Sequence, residues 1–280
     1  WEKLFQRRTV ALLLPWCIVR RFRLIMSNYQ QKNNAVNTVV NVNQLSILDQ
    51  EKVLLKDVDL TVTKGAFHCI IGESGSGKSL LTRTILGMKQ SQLCYQGDID
   101  IDLTQTDAVF QDVQSNMFQN ITLAKHFQYI YEANRTHLTK QRIKEDVLQM
   151  MQLLGLRQGE QLLERYPFEL SGGMAQRVAF IMSLIRRPNY LFLDEPTSAL
   201  DQENIKKFMH YLLRAQERYQ MTIVFITHDI NLVKDCATHI SIMQQGKLIE
   251  NGEAASILTK PTHNYTKKLI TIAHRRQPYA

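Results

Sequence analysis

The sequence has little of several features that would indicate other classes of protein. Its 280 residues include only six prolines, and 44% are hydrophobic against 21% charged, which argues against a mostly disordered chain. The four cysteines form no CxxC pair, so neither a disulfide framework nor a cysteine zinc site is indicated and we expect a reducing compartment. The apolar run over residues 10–19 is interrupted by Pro15 and is about half the ~20 residues that span a bilayer.

Excess positive charge is also absent from most of the chain. The net charge is +8, but residues 1–26 hold six basic residues and one acidic residue, so they carry +5 and the other 254 residues carry +3. A nearly neutral body does not indicate a nucleic-acid partner. The basic end has the charge of a signal peptide or an amphipathic anchor. We favour an upstream extension, with Met26 as the natural start and residues 1–36 as an N-terminal extension.

The remaining pattern alternates between strands and helices. β-Branched and apolar residues predict strands over residues 38–47 and 53–62 and a buried strand in AFHCIIG. Residues 112–170 lack strand signals and have helical periodicity. Further strands are predicted in YLFLD, MTIVFIT and HISIMQ, and further helices over residues 80–88, 171–187, 202–219 and 230–236. This order predicts an α/β sheet core with a helical insertion between its halves.

A phosphate-binding loop follows the predicted buried strand. The segment GESGSGKS fits GxxxxGK[ST], and it lies between a strand and a helix as that motif requires. Glycines let the backbone approach phosphates closely, and successive N–H groups at a helix N-terminus bind anionic oxygens. We expect Lys78 to contact the β- and γ-phosphates and the Ser79 hydroxyl to bind Mg²⁺.

Two carboxylates end the predicted strand YLFLD. Asp194 and Glu195 are either polar residues that mark the end of a core strand or catalytic groups. In the second interpretation Asp194 binds Mg²⁺ through water and Glu195 is the base that activates the attacking water. Their position downstream of a phosphate loop favours the second interpretation.

A third motif, LSGGMAQR, narrows the family. Ser171 is a good helix N-cap, and Gly172 and Gly173 permit close approach of the backbone to a ligand. Here the chain resembles the ATP-binding subunits of ABC transporters, whose hallmark is LSGGQ. Met174 replaces the final Gln, as in the family's peptide and nickel importers. The other motifs follow in order: Gln111 in VFQD, Asp201 in SALD and His228 in ITHD match the Q-loop, D-loop and switch histidine.

The resemblance, which covers about residues 38–275, implies a fold and a set of site residues. The implied fold is an ABC-type P-loop NTPase core with an antiparallel β subdomain and an inserted α-helical subdomain at about 112–187, within a domain at 37–275 that is followed by a tail at 276–280. The ATP-binding residues implied are Gly72, Glu73, Ser74, Gly75, Ser76, Gly77, Lys78, Ser79, Leu80, Ser171, Gly172, Gly173 and Asp201. The implied catalytic residues are Glu195, His228 and Gln111, and the implied Mg²⁺ ligands are Ser79, Gln111 and Asp194.

The resemblance also implies partners. Two such subunits face each other head to tail, and each ATP lies between the phosphate loop of one and the Ser171–Gly173 segment of the other. We expect a second, non-identical ATPase subunit, two membrane permease subunits, an indirect solute-binding protein, and a location at the cytoplasmic face of the membrane. Met117, Phe118, Phe127, Tyr129 and Tyr131 either form a groove for the membrane subunit or pack within the helical subdomain.

Some positions depart from the family pattern. The family usually places an aromatic residue upstream of the phosphate loop to stack on adenine, but residues 45–55 contain none and Leu48 or Asp49 takes its place. Adenine stacking is then weak, supplied by Phe67, or absent. The segment after Gln111 also lacks the proline-containing pattern common in peptide importers.

The resemblance favours a class of cargo. YPFELSGG and the tail PTHNYTKKL resemble the peptide/nickel importer group, although that tail is also explained as a terminal helix that covers the core. The last cysteine, Cys236, precedes the place where many peptide importers carry a cysteine cluster, which favours nickel or metal-chelate uptake over di- or oligopeptide uptake. A soluble ABC ATPase of DNA repair would separate the motifs by long coiled coils, and Glu195 with His228 argues against a regulator that does not hydrolyse ATP.

Overall fold

The structure is a computed structural model that describes residues 38–113, 117–134 and 138–275. The Met26 start, the extension at residues 1–36 and the tail at 276–280 lie outside these residues. Within the described ranges, none of the helices combines the length and the apolar character needed to cross a bilayer.

The described residues form nine strands and eight α-helices. The strands are β1 Thr38–Asp49, β2 Lys52–Thr63, β3 Phe67–Ile71, β4 Cys94–Ile101, β5 Thr106–Val109, β6 Tyr190–Asp194, β7 Thr222–Thr227, β8 His239–Gln244 and β9 Lys247–Glu253. The helices are α1 Lys78–Ile85, α2 Leu123–Ala133, α3 Lys140–Leu153, α4 Gly159–Leu163, α5 Gly172–Ile185, α6 Gln202–Tyr219, α7 Ala254–Thr259 and α8 Asn264–Arg275. Short 3-10 helices cover Leu103–Gln105, Pro167–Glu169 and Ile230–Leu232.

Two sheets organise the fold. A six-stranded sheet has the order β5-β6-β7-β3-β8-β9 and is parallel except for β9, and a three-stranded antiparallel sheet has the order β2-β1-β4. Segments that contain helices connect the parallel strands, because a parallel pair needs a long crossover connection. The predicted α/β core with an antiparallel β subdomain is confirmed. The helices α2–α4 follow β5 and precede α5, and we propose that they belong to the inserted subdomain at about 112–187 within a domain at 37–275.

The core lies on both faces of the six-stranded sheet. Because side chains alternate along a strand, Cys69 and Ile71 of β3 pack with the helices α5 and α6, whereas Ile70 packs with the antiparallel sheet and α1. Strands that are buried on both faces explain the continuous apolar runs in the sequence. The carboxyl ends of β3, β6 and β7 meet at one edge of the sheet, and the motifs follow those ends.

Several secondary-structure predictions need correction. The sequence analysis missed β4, β5, β9 and α7, and it placed a helix over residues 230–236 where the structure has only the 3-10 helix Ile230–Leu232. β4 is polar and half-exposed, with Gly97 at φ +95°, and β5 has only four residues, so neither carries a strong strand pattern. Periodicity identifies long buried elements better than short edge elements.

Burial separates the two interpretations of the aromatic residues after Gln111. Met117, Phe127 and Tyr131 are buried in the main core, and Phe118 packs against the His126 ring. His126 also orders this segment, because its Nε2 accepts from Phe118 N at 3.1 Å and its Nδ1 lies 2.9 Å from Thr122 O. The structure therefore supports packing within the helical layer for these residues. Tyr129 alone of the five is exposed, at 37%.

A buried polar network joins β3 to the sheet edge. His68 Nε2 lies 2.7 Å from Ser241 Oγ, which donates to Asn251 Oδ1 at 3.0 Å, so Nε2 carries the hydrogen and Ser241 accepts it. His68 Nδ1 is buried with no hydrogen-bond partner among the described residues. Burial, with a smaller contribution from His239, lowers the pKa of His68 to about 4.

This network predicts that acid destabilises the protein. The folded-state pKa of His68 lies below its unfolded value of 6.5, so its contribution to stability is complete above about pH 6.5 and is lost as pH falls. We expect the free energy of unfolding in urea to fall by about 2 kcal/mol more between pH 7 and pH 5 in the wild type than in His68→Gln. An equal fall in both proteins would show that His68 is not the group responsible.

Candidate nucleotide-binding and catalytic site

A cavity of about 730 Å³ opens at the carboxyl edge of the six-stranded sheet. The phosphate loop forms its floor, Gln111, Glu195 and His228 lie on its wall, and Leu54 of β2 lies on the wall as well. Residues of α8 also contribute to it. The structure therefore brings together, on one surface, predicted residues that are separated by more than 150 positions in the sequence.

The phosphate loop has backbone geometry that requires glycine. Gly75 and Gly77 have φ values of +80° and +103°, in a region that other residues rarely adopt. A Cβ on Gly77 would lie 2.5 Å from Leu55 Cδ2, and one on Gly72 would overlap the Met243 carbonyl oxygen. The loop thus curves tightly against its support and ends at α1, which begins at Lys78.

The turn between β8 and β9 supports the loop from below. Gly246 N donates to Ser76 O at 3.0 Å, and Gly246 O accepts from Lys56 N at 2.9 Å. A Cβ on Gly246 would overlap the Leu54 carbonyl oxygen, so its φ of +74° and its surroundings both require glycine. Three backbone segments are therefore held in direct contact beneath the predicted phosphate position.

Lys78 is buried and folded back on the loop. Its Nζ donates to Gly72 O at 2.7 Å and to Glu73 O at 2.9 Å. Burial lowers the pKa of Lys78, while the charges of Glu195, Asp194 and Glu73 oppose that shift. The ammonium group is thus held at the loop by neutral carbonyls, in a position from which it can turn to an anionic ligand.

Ser79 and Asp194 form the predicted Mg²⁺ position. Ser79 Oγ donates to Asp194 Oδ1 at 3.2 Å, and the Asp194 side chain is buried at the end of β6. Burial raises the pKa of Asp194, while the hydrogen bond from Ser79 lowers it. Among the described residues no group of three or more His, Cys, Asp and Glu side chains could hold a metal ion alone. Two hard oxygen donors beside a phosphate loop fit Mg²⁺, which takes few protein ligands and completes its shell with phosphate and water.

Glu195 and His228 face each other at the cavity. His228 Nδ1 lies 3.0 Å from both carboxylate oxygens of Glu195, and since a carboxylate accepts only, Nδ1 carries the hydrogen. The Glu195 side chain is 13% exposed and that of His228 is 60% exposed. Glu195 has φ +50°, and its N–H donates to Ile226 O at 3.0 Å. This uncommon conformation turns the carboxylate out of the sheet edge, towards the cavity.

The residues of the LSGG motif, which we call the signature motif, and of the D-loop lie elsewhere. Ser171, Gly172, Gly173 and Asp201 are not among the residues that line the cavity, although all four are in the described part of the chain. Ser171 Oγ accepts from Met174 N at 3.4 Å and caps α5, as predicted, and Asp201 caps α6 by accepting from Asn204 N at 2.9 Å. This hydrogen bond from the Asn204 amide lowers the pKa of Asp201.

Arg177 connects these segments and was not predicted. Its guanidinium is buried, and Nε donates to Gly173 O at 2.9 Å while Nη1 donates to Leu154 O at 3.1 Å and to Asn204 Oδ1 at 3.0 Å. One guanidinium group therefore contacts the start of α5, the end of α3 and the start of α6. The sequence offered a signal, since an Arg within an otherwise apolar helix needs several acceptors, but spacing does not identify them.

The structure contradicts one of the expected alternatives for adenine stacking. Phe67 is 1% exposed and packs against Phe225 in the core, so the interpretation that it stacks on adenine is wrong. Its position in β3 directs the side chain to the α5 and α6 face of the sheet. Leu54 is the apolar residue that β2 presents to the cavity, and the sequence analysis missed it.

Comparisons with known proteins give consistent results. The family model described as ABC transporter matches residues 55–198. The metal-staphylopine import system ATP-binding protein CntD of Staphylococcus aureus (strain Mu50) is 30% identical over 252 residues, which cover 84% of this chain and 93% of that protein. The dipeptide transport ATP-binding protein DppD of Haemophilus influenzae is 34% identical over 255 residues, which cover 83% of this chain and 76% of that protein.

Solved structures resemble the fold as well. A dimeric ATP-binding cassette in a post-hydrolysis state, bound to ADP and Pi, is 25% identical with a TM-score of 0.66. The alignment covers 77% of this chain and 99% of that cassette.

The two signature glycines provide a matched test of local packing. A Cβ on Gly173 would lie 2.6 Å from Ala199 O, whereas one on Gly172 would lie 3.4 Å from Ala199 Cβ, an ordinary contact. We expect Gly173→Ala to lower the free energy of unfolding in urea by about 1–3 kcal/mol through overpacking, and Gly172→Ala to leave it unchanged or slightly raised. Equal stability of the two variants would contradict the contact between α5 and the segment before α6.

Proposed function

This chain belongs to the ABC transporter ATP-binding family, whose members hydrolyse ATP, and we propose that its ATPase activity energises an importer of nickel or a metal chelate at the cytoplasmic face of the membrane. The observation that carries the proposal is the placement of the phosphate loop, Ser79 and the Glu195–His228 pair around one cavity, with the buried Asp194 hydrogen-bonded to Ser79. A site of this composition supports phosphoryl transfer to water, which relies on positioning and electrostatic stabilisation.

In the proposed site the phosphate loop binds the triphosphate. Backbone N–H groups where the loop meets the N-terminus of α1 provide donors for phosphate oxygens, and Lys78 adds a full positive charge. The residues that would hold Mg²⁺ are Ser79 and Asp194, with Gln111 on the cavity wall, and the ion would neutralise charge on the β- and γ-phosphate oxygens.

The proposed catalytic base is Glu195. Its carboxylate accepts a proton from the water that attacks the γ-phosphate, while the bond between that phosphorus and the bridging oxygen of ADP breaks. His228 donates its Nδ1 hydrogen to the same carboxylate and so fixes the orientation of Glu195. Because His228 is mostly exposed, its ring can turn towards the γ-phosphate when ATP occupies the cavity.

A second ATPase subunit completes the site in this proposal. Ser171, Gly172, Gly173 and Asp201 lie off the cavity of their own chain, and Gly172 is exposed at the N-terminus of a 14-residue helix. A helix N-terminus presents unpaired N–H groups that suit a γ-phosphate supplied by the facing subunit. We propose a non-identical partner ATPase, two permease subunits and, indirectly, a solute-binding protein, with no nucleic-acid partner.

The proposed cargo is a metal chelate or nickel, and a di- or oligopeptide is the alternative. The similarity to the metal-staphylopine import protein, 30% identity over 252 residues, supports a metal-chelate cargo. The higher identity to the dipeptide protein, 34% against 30%, supports the alternative. Because the cargo does not contact an ATPase subunit, the assignment of the cargo is supported by sequence similarity to the relatives and not by a binding site in this chain.

The proposed role of Glu195 is tested by removing its charge. We expect Glu195→Gln in the assembled transporter to lower kcat for ATP hydrolysis by about 10²-fold or more, because the base is lost, with the Kd for ATP unchanged within about twofold. Glu217→Gln, at an exposed position on α6, is the matched control and should leave kcat unchanged. A Glu195→Gln transporter with wild-type turnover would refute the assignment of the base.

The cargo is tested by transport into vesicles that contain the reconstituted complex. We expect ATP-dependent uptake of nickel or a nickel chelate and no uptake of di- or oligopeptides at the same concentration. Uptake of peptides alone would overturn the metal assignment and leave the ATPase proposal intact. Omission of ATP is the control in each case.

A further inference from the structure

The C-terminal helix α8 lies against the nucleotide cavity. Leu269, Ile272 and Ala273 line the cavity on the side of Glu73 and the segment after His228, and Ile272 is 48% exposed there. The sequence analysis treated this tail as a family resemblance or as a cover for the core, and it assigned no site residue to α8. Its position gives it direct access to the phosphate loop.

The start of α8 is fixed to the sheet edge. Glu250 of β9 accepts from Thr262 N at 2.8 Å and from Thr262 Oγ1 at 3.0 Å through one oxygen, and from His263 N at 3.2 Å through the other. His263 Nδ1 then accepts from Tyr265 N at 3.1 Å. The first turn of the helix is thus anchored before it reaches the loop.

Tyr265 contacts the phosphate loop itself. Its phenolic oxygen accepts from Glu73 N at 3.1 Å. The carbonyl oxygen of Glu73 accepts from Lys78 Nζ at 2.9 Å and from Ser76 N at 3.2 Å. Both backbone groups of Glu73 are therefore held, the carbonyl from within the loop and the N–H from α8.

The end of α8 contacts the segment that carries the switch histidine. Asn231, which lies three residues after His228, donates through Nδ2 to Ala273 O at 3.3 Å. Burial raises the pKa of Tyr265. One helix therefore connects β9, the phosphate loop and the residues after His228.

We propose that Tyr265 is a positioning residue for the phosphate loop, and that its hydroxyl group orders the first turn of the loop for ATP by accepting the Glu73 N–H. The inference rests on the proposed function, in which this loop binds ATP. A loop that is ordered before binding loses less conformational freedom when the ligand arrives, and the apparent affinity rises with the fraction of competent loop. Tyr265 acts through the backbone and touches no reacting atom.

Tyr265→Phe tests the proposal because it removes only the hydroxyl group. We expect the Kd for ATP by calorimetry and the KM for ATP to rise about 2- to 12-fold, the range that one net hydrogen bond supplies, with kcat at saturating ATP unchanged. Tyr219→Phe, at the exposed end of α6, is the matched control and should change none of these values. Unchanged Kd and KM in Tyr265→Phe, or a fall in kcat alone, would overturn the proposal.

A double-mutant cycle shows whether the hydroxyl acts through Glu73. Glu73→Pro removes the N–H donor, and Glu73 is not among the described residues with positive φ. We expect Tyr265→Phe to weaken ATP binding in the wild type but not in the Glu73→Pro background. An equal effect in both backgrounds overturns the proposal. Should Glu73→Pro not fold, amide hydrogen exchange decides: the Glu73 N–H exchanges faster in Tyr265→Phe under the proposal and equally fast without it.

Failure of the proposed function is distinguishable from failure of this inference. Lys78→Ala removes the charge of the loop, and we expect it to abolish ATP binding by the same calorimetry. Wild-type protein that does not bind ATP, or Lys78→Ala protein that binds normally, refutes the ATP assignment of the loop. Only the role of Tyr265 is refuted if the wild type binds ATP, Lys78→Ala does not, and Tyr265→Phe binds ATP as tightly as the wild type.

Discussion

Contact between three backbone segments determines the site. The phosphate loop lies on the β8–β9 turn, and that turn lies on β2, with Gly72, Gly77 and Gly246 at positions where a Cβ would collide with a neighbour. Hydrogen bonds from Gly246 N to Ser76 O and from Lys56 N to Gly246 O close the stack. Glycine at these positions sets how closely the antiparallel sheet approaches the central sheet. The direction of the loop, and hence of Lys78, follows from that approach.

Buried polar groups connect the site to the rest of the fold. Arg177 joins the start of α5 to the end of α3 and the start of α6 through carbonyl and amide oxygens, and Gln176 donates to Ser198 Oγ at 3.1 Å. Breaking such a network leaves several buried acceptors without a partner, which costs more than the net contribution of the bonds themselves. The start of α5 and the segment before α6 therefore have one well-defined relative position, and Gly173 contacts Ala199 within it.

The sequence predicted the fold where burial produces a clear pattern. The strands that are buried on both faces, β3, β6, β7 and β8, have continuous apolar runs, and the motifs that follow β3, β6 and β7 indicated the site. It did not predict β4 or β9, because exposed edge strands carry mixed side chains. It also did not predict Leu54 or Tyr265, because a contact between residues far apart depends on the packed arrangement and leaves no local spacing.

The position of the Lys78 ammonium has a consequence for ligand discrimination. The ammonium group already donates hydrogen bonds to two carbonyl oxygens of the loop. A ligand that binds Lys78 therefore replaces one of these acceptors and does not simply add a contact. A phosphate oxygen carries a full charge and competes well with a carbonyl dipole, because charge-assisted hydrogen bonds are about twice as strong as neutral ones. An uncharged nucleoside has no such advantage. The two carbonyl contacts of Lys78 therefore favour a charged ligand over a neutral one.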